Sequence, residues 1–135
     1  MKNLDAVVQV EVSAHLNNSE SLEKLSAAIA NVFTDYPIKQ NENFLLESDS
    51  VGSLSKLYDY IRSKQTIGVV RSRLLRNLAG NETFLLLNRQ AAYAGSIVIC
   101  DSEAESPLGA IKLTLRSSAI PKVIDWLAPR LDREH

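Results

Sequence analysis

Segments with a strand-like period of two alternate along this chain with segments at helical spacing, and this interleaving constrains the fold most. The first segment is the clearest, because Val8, Val10 and Val12 alternate with more polar neighbours. The same reasoning predicts further strands at residues 43–47, 84–87, 97–100 and 111–115. Helices are predicted at residues 22–33, 51–78 and 119–127, with a break in the second near residues 66–68 and a short helical connector at 88–95.

This order of elements predicts an α+β fold, in which helices pack on one face of a mainly antiparallel sheet to make two layers. The short connection between the strands at 97–100 and 111–115 favours their antiparallel pairing. A length of 135 residues with 45% hydrophobic content predicts a single domain, 1–135, with its own core. No apolar run approaches the roughly 20 residues of a membrane span. We therefore expect a cytoplasmic protein without a membrane partner.

The predicted boundaries of the first helix rest on local chemistry. Ser19 is the expected N-cap, because its hydroxyl can accept from a free amide of the first turn. Glu20 and Lys24 are spaced for an i,i+4 ion pair on the outer face. The helix is expected to end at Tyr36-Pro37, because the residue before a proline avoids the α region.

The charge of the chain is strongly segregated, although the net charge is only −1. Between Lys56 and Arg89 there are seven basic residues and two acids, a balance of +5. Residues 1–55 have three basic residues and eight acids, or −5, and residues 90–135 have five and six, or −1. The basic middle part would suit an anionic partner such as RNA.

Several kinds of chemistry are poorly supported by the residues. The histidines, His15 and His135, have no metal-ligand spacing, and the isolated glycines form no phosphate-binding loop. Cys100 follows an apolar run and is predicted to be a buried structural thiol. The alternating acids at 101, 103 and 105 are interpreted as a solvated loop. We therefore expect no cofactor, no metal site and no catalytic residues.

The basic stretch becomes amphipathic when residues 62–78 are treated as one helix. An apolar stripe then lies opposite most of the arginines, and a row of guanidinium groups could follow a phosphate backbone. The alternative is a solvated helix face without a ligand. The stripe contains Ile67, Val70, Leu74 and Leu78; the basic set contains Arg62, Arg73 and Arg76, with Lys64 and Arg71 at its flank.

The connector offers a second candidate site. Asn88, Arg89, Gln90 and Tyr93 could hydrogen-bond to an unpaired base and stack on it. In the alternative interpretation, which the residues alone favour, the polar side chains satisfy local backbone groups and the tyrosine lies in the core. Trp126 is expected to serve packing or an oligomer contact rather than base stacking.

The segment from Gly80 to Gly95, GNETFLLLNRQAAYAG, resembles the central motif of an uncharacterised archaeal protein family of the UPF type with an RNA-binding-like description. The motif is an apolar strand followed by Asn-Lys/Arg-Gln-Ala-Ala, a small residue and glycine. The likeness extends over nearly the whole chain. Further segments that carry it are the first strand and helix, ESDS at 47–50 with Leu54 and Leu57, IRSKQ at 61–65, the Arg71 region, SPLG at 106–109 and DWLAP at 125–129.

This resemblance implies a fold like that of the large-subunit ribosomal protein L-five group, association into homodimers, and RNA binding. It is also similar to a sister group placed near the archaeal exosome. Members often begin the first helix with a Pro-Thr-Glu-like sequence, whereas this chain has Asn17-Asn18-Ser19-Glu20 and lacks the proline. Glu20 keeps the acid of that motif.

The leading hypothesis from the sequence is a non-catalytic module that binds structured or ribosomal RNA. Its predicted RNA-contacting residues are Arg62, Lys64, Arg71, Arg73, Arg76, Asn88, Arg89, Gln90 and Tyr93. The alternative is a homodimeric structural or protein–protein interaction module that binds no nucleic acid.

Overall fold

The computed structural model describes the backbone of residues 3–15, 17, 20–33, 38–40, 43–48, 51–106 and 108–130. The strands are β1 (Gln9–His15), β2 (Ile38–Gln40), β3 (Asn43–Ser48), β4 (Glu82–Leu87), β5 (Ile99–Cys100) and β6 (Ile111–Arg116). The α-helices are α1 (Leu22–Ala30), α2 (Ser55–Ser63), α3 (Ile67–Arg76), α4 (Arg89–Tyr93) and α5 (Ile120–Leu127). Short 3-10 turns lie at Val51–Leu54 and Glu103–Glu105.

The strands form one sheet in the order β2-β3-β1-β6-β4-β5, and every pairing in it is antiparallel. The register places Val12 opposite Leu113, and Leu113 opposite Leu85 on the next strand. All three side chains are buried together with the inner residues of the helices in one core cluster. The predicted α+β class, with helices on one face of an antiparallel sheet, is therefore confirmed.

The other face of the sheet is largely polar over its described side chains. Arg116 on β6 donates from Nε to Glu82 at 2.7 Å and from Nη2 to Glu11 at 3.4 Å. The ammonium of Lys112 lies 4.6 Å from the centre of the Phe84 ring. These contacts provide partners for the charged side chains on the sheet face opposite the helices.

The edges of the sheet differ from the prediction. β5 is shorter than residues 97–100 and pairs with β4, so the predicted pairing of β5 with β6 is wrong. The physical reason is that β6 already has β1 on one side and β4 on the other, which occupies both of its hydrogen-bonding edges. β2 is a strand that the sequence pattern did not predict.

The first helix begins with Ser21 as its N-cap, whose hydroxyl accepts from the amide of Lys24 at 3.4 Å. The predicted cap, Ser19, lies outside the described residues, and so does the predicted end at Tyr36-Pro37. The helix itself ends at Ala30, although Phe33 beyond it is still buried.

The basic part of the chain forms two helices rather than one. α2 ends at Ser63 and α3 begins at Ile67, with Gln65 between them at a φ of 56°. The predicted break is confirmed, and the treatment of residues 62–78 as one helix is wrong. Thr83 on β4 donates to the Leu74 carbonyl at 2.6 Å and fixes α3 against the sheet.

Candidate functional site

Arg62, near the end of α2, is held against the C-terminus of α5. Its guanidinium donates to the carbonyls of Leu127 at 3.0 Å and Trp126 at 3.1 Å, and to Tyr58 at 3.0 Å. The guanidinium carbon lies 3.4 Å from the centre of the Tyr58 ring. The last carbonyls of a helix have no partners within it and carry partial negative charge, so a cation stabilises them. Arg62 therefore has a structural role in this arrangement.

Arg71 approaches the same end of α5 from α3. Its Nη1 donates to Asp125 Oδ1 at 2.7 Å and to the Ala128 carbonyl at 3.0 Å. Arg62 and Arg71 thus converge, although they belong to different helices. We call Arg62, Arg71 and Asp125 the α5-end cluster.

Arg73 and Arg76 point instead towards Asp101, just after β5. Both guanidinium groups pair with the same oxygen, Asp101 Oδ1, and the Arg76 contact measures 3.1 Å. The Arg76 side chain is 53% exposed, whereas that of Arg73 is 24% exposed. Glu105 lies beside this group, since its Oε2 accepts from the Asp101 amide at 2.8 Å, so acids and arginines are mixed at this surface. We call Arg73, Arg76 and Asp101 the Asp101 cluster.

Lys64 follows α2 and is exposed, with its ammonium 5.9 Å from the Tyr60 ring centre. The five basic residues predicted on one helical row therefore lie in separate places: two in the α5-end cluster, two in the Asp101 cluster, and Lys64 beside α2. The predicted row of guanidinium groups along one helix does not exist. The turn at Gln65 separates α2 from α3, and on α3 itself Arg71 points towards α5 whereas Arg73 and Arg76 point towards Asp101.

The outer face of α3 is more apolar than the sequence pattern indicated. Val69 and Leu75 are 47% and 48% exposed, and Leu78 just beyond the helix is 37% exposed. The predicted stripe is buried at Val70 and Leu74 but not at Leu78. The three exposed side chains are not grouped on one face, since Val69 and Leu75 point about 120° apart on a helix with 3.6 residues per turn.

The connector folds as a capped helical turn. Asn88 is the N-cap of α4, and its Oδ1 accepts from the Ala91 amide at 2.9 Å. Gln90 is exposed on the first turn. The asparagine thus satisfies a local backbone group, as in the alternative interpretation of this segment.

Arg89 is the most deeply buried cation among the described residues, with only 1% of its side chain exposed. Its Nη1 donates to Glu20 Oε1 and to the His15 carbonyl, both at 2.6 Å, and its Nη2 donates to the Ala110 carbonyl at 3.2 Å. Tyr93 donates to Glu20 Oε2 at 2.6 Å. The predicted direct contact of Arg89 with RNA does not fit this geometry, because protein encloses the guanidinium group.

Asn17 completes this arrangement, which we call the Arg89 cluster: Arg89, Glu20, Tyr93 and Asn17. Its Nδ2 donates to Glu20 Oε1 at 2.6 Å and to the Leu108 carbonyl at 2.9 Å, and its amide donates to Glu20 at 3.1 Å. Glu20 is only 4% exposed, so the predicted outer-face pair with Lys24 is wrong. The cluster ties the start of α1 to α4 and to the loop before β6.

The pKa values within this cluster follow from its burial and its hydrogen bonds. Burial by itself raises the pKa of Glu20, but donors from Tyr93 and Asn17 and the Arg89 charge outweigh it, so the pKa lies below its ordinary value. Burial and the neighbouring Glu20 carboxylate raise the pKa of Tyr93 to about 12. Glu20 is thus held ionised and Tyr93 protonated at neutral pH.

Sequence reasoning missed Glu20 as the partner of Arg89. The two residues are 69 positions apart, and neither periodicity nor spacing connects them. The one available signal is the acid that this chain shares with the first-helix motif of the family it resembles.

Cys100 is buried, as predicted for a structural thiol. Burial raises its pKa, and the negative charges of Glu105, Glu103 and Asp101 raise it further, so the reactive thiolate is disfavoured. Within the described ranges, no group of three or more His, Cys, Asp or Glu side chains is arranged to hold a metal ion. No helix of the described chain has the length and apolar character to cross a membrane.

Comparison with known proteins places this geometry in a family. A family model described as RNA binding matches residues 9–117. A UPF0201 protein from Metallosphaera sedula is 37% identical over 131 residues, covering 94% of this chain and 92% of the relative. The chain belongs to the UPF0201 family. Another UPF0201 protein, from Aeropyrum pernix, is 30% identical over 135 residues, which cover 96% of this chain and 90% of the relative.

Solved UPF0201 structures share the fold. A crystal structure of an uncharacterised UPF0201 protein superposes with a TM-score of 0.77 at 28% identity, covering 90% of this chain and 94% of the other. The UPF0201 protein from Methanococcus jannaschii gives 0.76 at 27% identity, with coverages of 93% and 96%. A DUF54 protein from Methanothermobacter thermautotrophicus, at 16% identity and a TM-score of 0.60, covers 91% of this UPF0201 chain and 99% of its own length, and shares the fold alone.

Proposed function

We propose that this UPF0201 protein is a non-catalytic RNA-binding module. The observation that carries the proposal is the match of residues 9–117 to a family model described as RNA binding. Its basic segment adds physical support, because Lys64 and Arg76 stay exposed although Arg71, Arg73, Arg76 and Arg89 pair with acids from outside the segment.

The predicted RNA-contacting residues differ in the exposure of their side chains. Among them, the cations Arg76 and Lys64 are exposed, and Arg71 and Arg73 are partly exposed. A guanidinium that shares a carboxylate with a second arginine keeps N–H donors for a phosphate. Gln90 is exposed on α4 and stays in the proposed surface.

Three of the remaining predicted residues would act indirectly. Asn88 caps α4, and Arg89 with Tyr93 is engaged by Glu20, so they hold the surface in shape without touching RNA. Arg62 is anchored on the carbonyls of α5, away from Lys64 and Arg76. Structured or ribosomal RNA as the target, a likeness to the ribosomal protein L-five group, and homodimer formation all stay predictions of the resemblance.

The test is RNA binding at two salt concentrations, for the wild type and for Arg76→Glu and Lys64→Glu. Displacement of about four counterions, one for each of the exposed or partly exposed cations named above, predicts a loss of about a hundredfold in affinity between roughly 50 and 200 mM salt. Each charge reversal is expected to weaken binding and to flatten the salt dependence, because a phosphate contact becomes a repulsion. Fluorescence anisotropy of labelled structured and single-stranded RNA measures both quantities.

Lys24→Glu on α1 is the matched control, because it makes the same charge change at an exposed lysine outside the basic segment. The proposal predicts that Lys24→Glu leaves most of the affinity in place. Absence of binding to either RNA at low salt would overturn the proposal. An equal loss of RNA affinity in all three variants would show that the basic segment is not the binding surface.

Exposed apolar side chains on the outer part of α3 and just beyond it favour a second candidate, a protein–protein interaction module. Val69, Leu75 and Leu78 are each more than a third exposed, and phosphate binding does not require such side chains. If these side chains join two copies of the chain, Leu75→Glu should convert a dimer into a monomer in sedimentation velocity measurements. A wild-type monomer at all tested concentrations would exclude the homodimeric form of this candidate.

A further inference from the structure

A pocket of about 450 Å³ opens between α2, α5 and the residues that precede β1. It lies beside the α5-end cluster and apart from the Asp101 cluster. Residues from all three segments line it, so the tertiary fold alone creates it. Those used below are Asp5, Tyr58, Arg62, Lys122, Asp125 and Trp126.

The inner wall of this pocket is aromatic. The rings of Tyr58 and Trp126 have their centres 5.0 Å apart at an angle of 39°. The Arg62 guanidinium lies over the Tyr58 ring and is fixed by its bonds to the end of α5. Tyr58 and Trp126 are only 5% and 8% exposed, so they close the pocket from the inside, and the partly exposed Arg62 guanidinium provides the flat surface on which a base can stack.

The rim of the pocket carries both signs of charge. Lys122 is exposed on the first half of α5 and provides an ammonium for a phosphate. Asp5 and Asp125 provide carboxylates, which accept from amino groups. Adenine, cytosine and guanine carry such an amino group and uracil does not. The chemistry therefore matches a nucleotide unit with an amino-bearing base.

We infer that this pocket binds one unpaired nucleotide of single-stranded RNA, with preference for an amino-bearing base, such as adenine, over uracil. The inference rests on the proposed function and specifies the class of RNA. A base in a duplex is stacked on both faces and paired at its edge, so it cannot enter; an unpaired base can be turned out at little cost.

Trp126 is the single tryptophan of the chain, so its intrinsic fluorescence reports on this pocket alone. Oligoadenylate, oligouridylate and the duplex of the two are titrated into the wild type, into Lys122→Glu and into Lys24→Glu. We expect oligoadenylate to change the Trp126 emission and to bind more tightly than oligouridylate. The duplex should leave the emission unchanged.

Lys122→Glu should weaken oligoadenylate binding about tenfold, which corresponds to about 1.4 kcal/mol for one phosphate contact. Lys24→Glu should leave it unchanged, and circular dichroism melts of both variants establish that each is folded. An Asp5→Asn variant should reduce the preference for oligoadenylate over oligouridylate.

The outcomes separate this inference from the proposed function. RNA binding that is lost in Arg76→Glu but neither alters Trp126 emission nor responds to Lys122→Glu would overturn the pocket and leave the proposed function standing. Equal emission changes with oligoadenylate and duplex would also overturn it. No binding of any RNA at low salt would overturn both.

Discussion

The Arg89 cluster and the Asp101 cluster use the same side chain in opposite ways. Arg89 is 1% exposed and its carboxylate partner, Glu20, is 4% exposed. Arg76 and Asp101 are 53% and 51% exposed. Both pairs are arginine–carboxylate contacts, yet only the first is removed from water, and this difference decides what each arginine can do.

Burial makes a charge costly to leave unpaired, whereas a surface charge can exchange its protein partner for water or phosphate at little cost. The Arg89 cluster therefore contributes to a unique folded arrangement of α1, α4 and the loop before β6. The Asp101 cluster contributes little to folding, and its Arg76 guanidinium stays accessible from solvent.

The variant Arg89→Ala gives the strongest test of this difference between a buried and an exposed arginine. It leaves the Glu20 carboxylate buried without its cation, and we expect a loss of about 3–5 kcal/mol in the free energy of unfolding. Arg76→Ala should cost at most about 1 kcal/mol, as for exposed ion pairs. Urea denaturation followed by circular dichroism measures both values.

The double variant Arg89→Met/Glu20→Leu tests the reason for that loss. If the uncompensated charge is responsible, removing both charges should recover part of the stability of Arg89→Ala. A double variant that is no more stable would assign the loss to packing rather than to charge.

A smaller loss is expected for Arg62→Ala, which lies between the two extremes in exposure. It removes hydrogen bonds from a cation to the carbonyls of Trp126 and Leu127, and we expect about 1.5–3 kcal/mol from urea denaturation. Lys64→Ala, two residues away and exposed, is the control. Equal losses in the two variants would contradict the structural role of Arg62.

The smallest effect should come from Tyr93→Phe, which removes one donor from Glu20 and is expected to cost about 1 kcal/mol. Because the pKa of Glu20 is lowered on folding, its contribution is present above its unfolded pKa of about 4.3 and is lost as the pH falls through the lower folded value. Loss of the donor raises that folded pKa and reduces the acid-dependent part of the stability.

Stability curves of wild type and Tyr93→Phe between neutral and acidic pH test this linkage. The difference between the two proteins should be largest at neutral pH and should shrink as Glu20 becomes protonated in both. A difference that is constant across the whole range would show that the tyrosine hydroxyl acts independently of Glu20.

Local patterns predicted the elements with a strong period and missed those that depend on partners. β1, β6 and α5 follow from alternation and helical spacing, and the break between α2 and α3 was visible at residues 66–68. The pairing of β5 was wrong because strand pairing depends on which edges are already occupied. The short β2 gave no periodic signal.

The candidate site divides in the same way. The sequence located the basic segment and the Asn88–Tyr93 connector, but it assigned their side chains to a single helical row and to an RNA contact. The geometry instead turns Arg62 and Arg71 towards α5 and Arg73 and Arg76 towards Asp101. Helical spacing predicts the direction in which a side chain leaves its own helix. It does not predict which other element of the fold that side chain will contact.

The sequence by itself determined the α+β class, the family and the segregation of charge, because each depends on residues that are near neighbours in the chain or on their sum. Only the tertiary structure decided that Arg89 is enclosed and Arg76 is exposed. The burial of Arg89 depends on Glu20, which is 69 positions away in the sequence. The two side chains meet only when folding brings them together and removes the water between them.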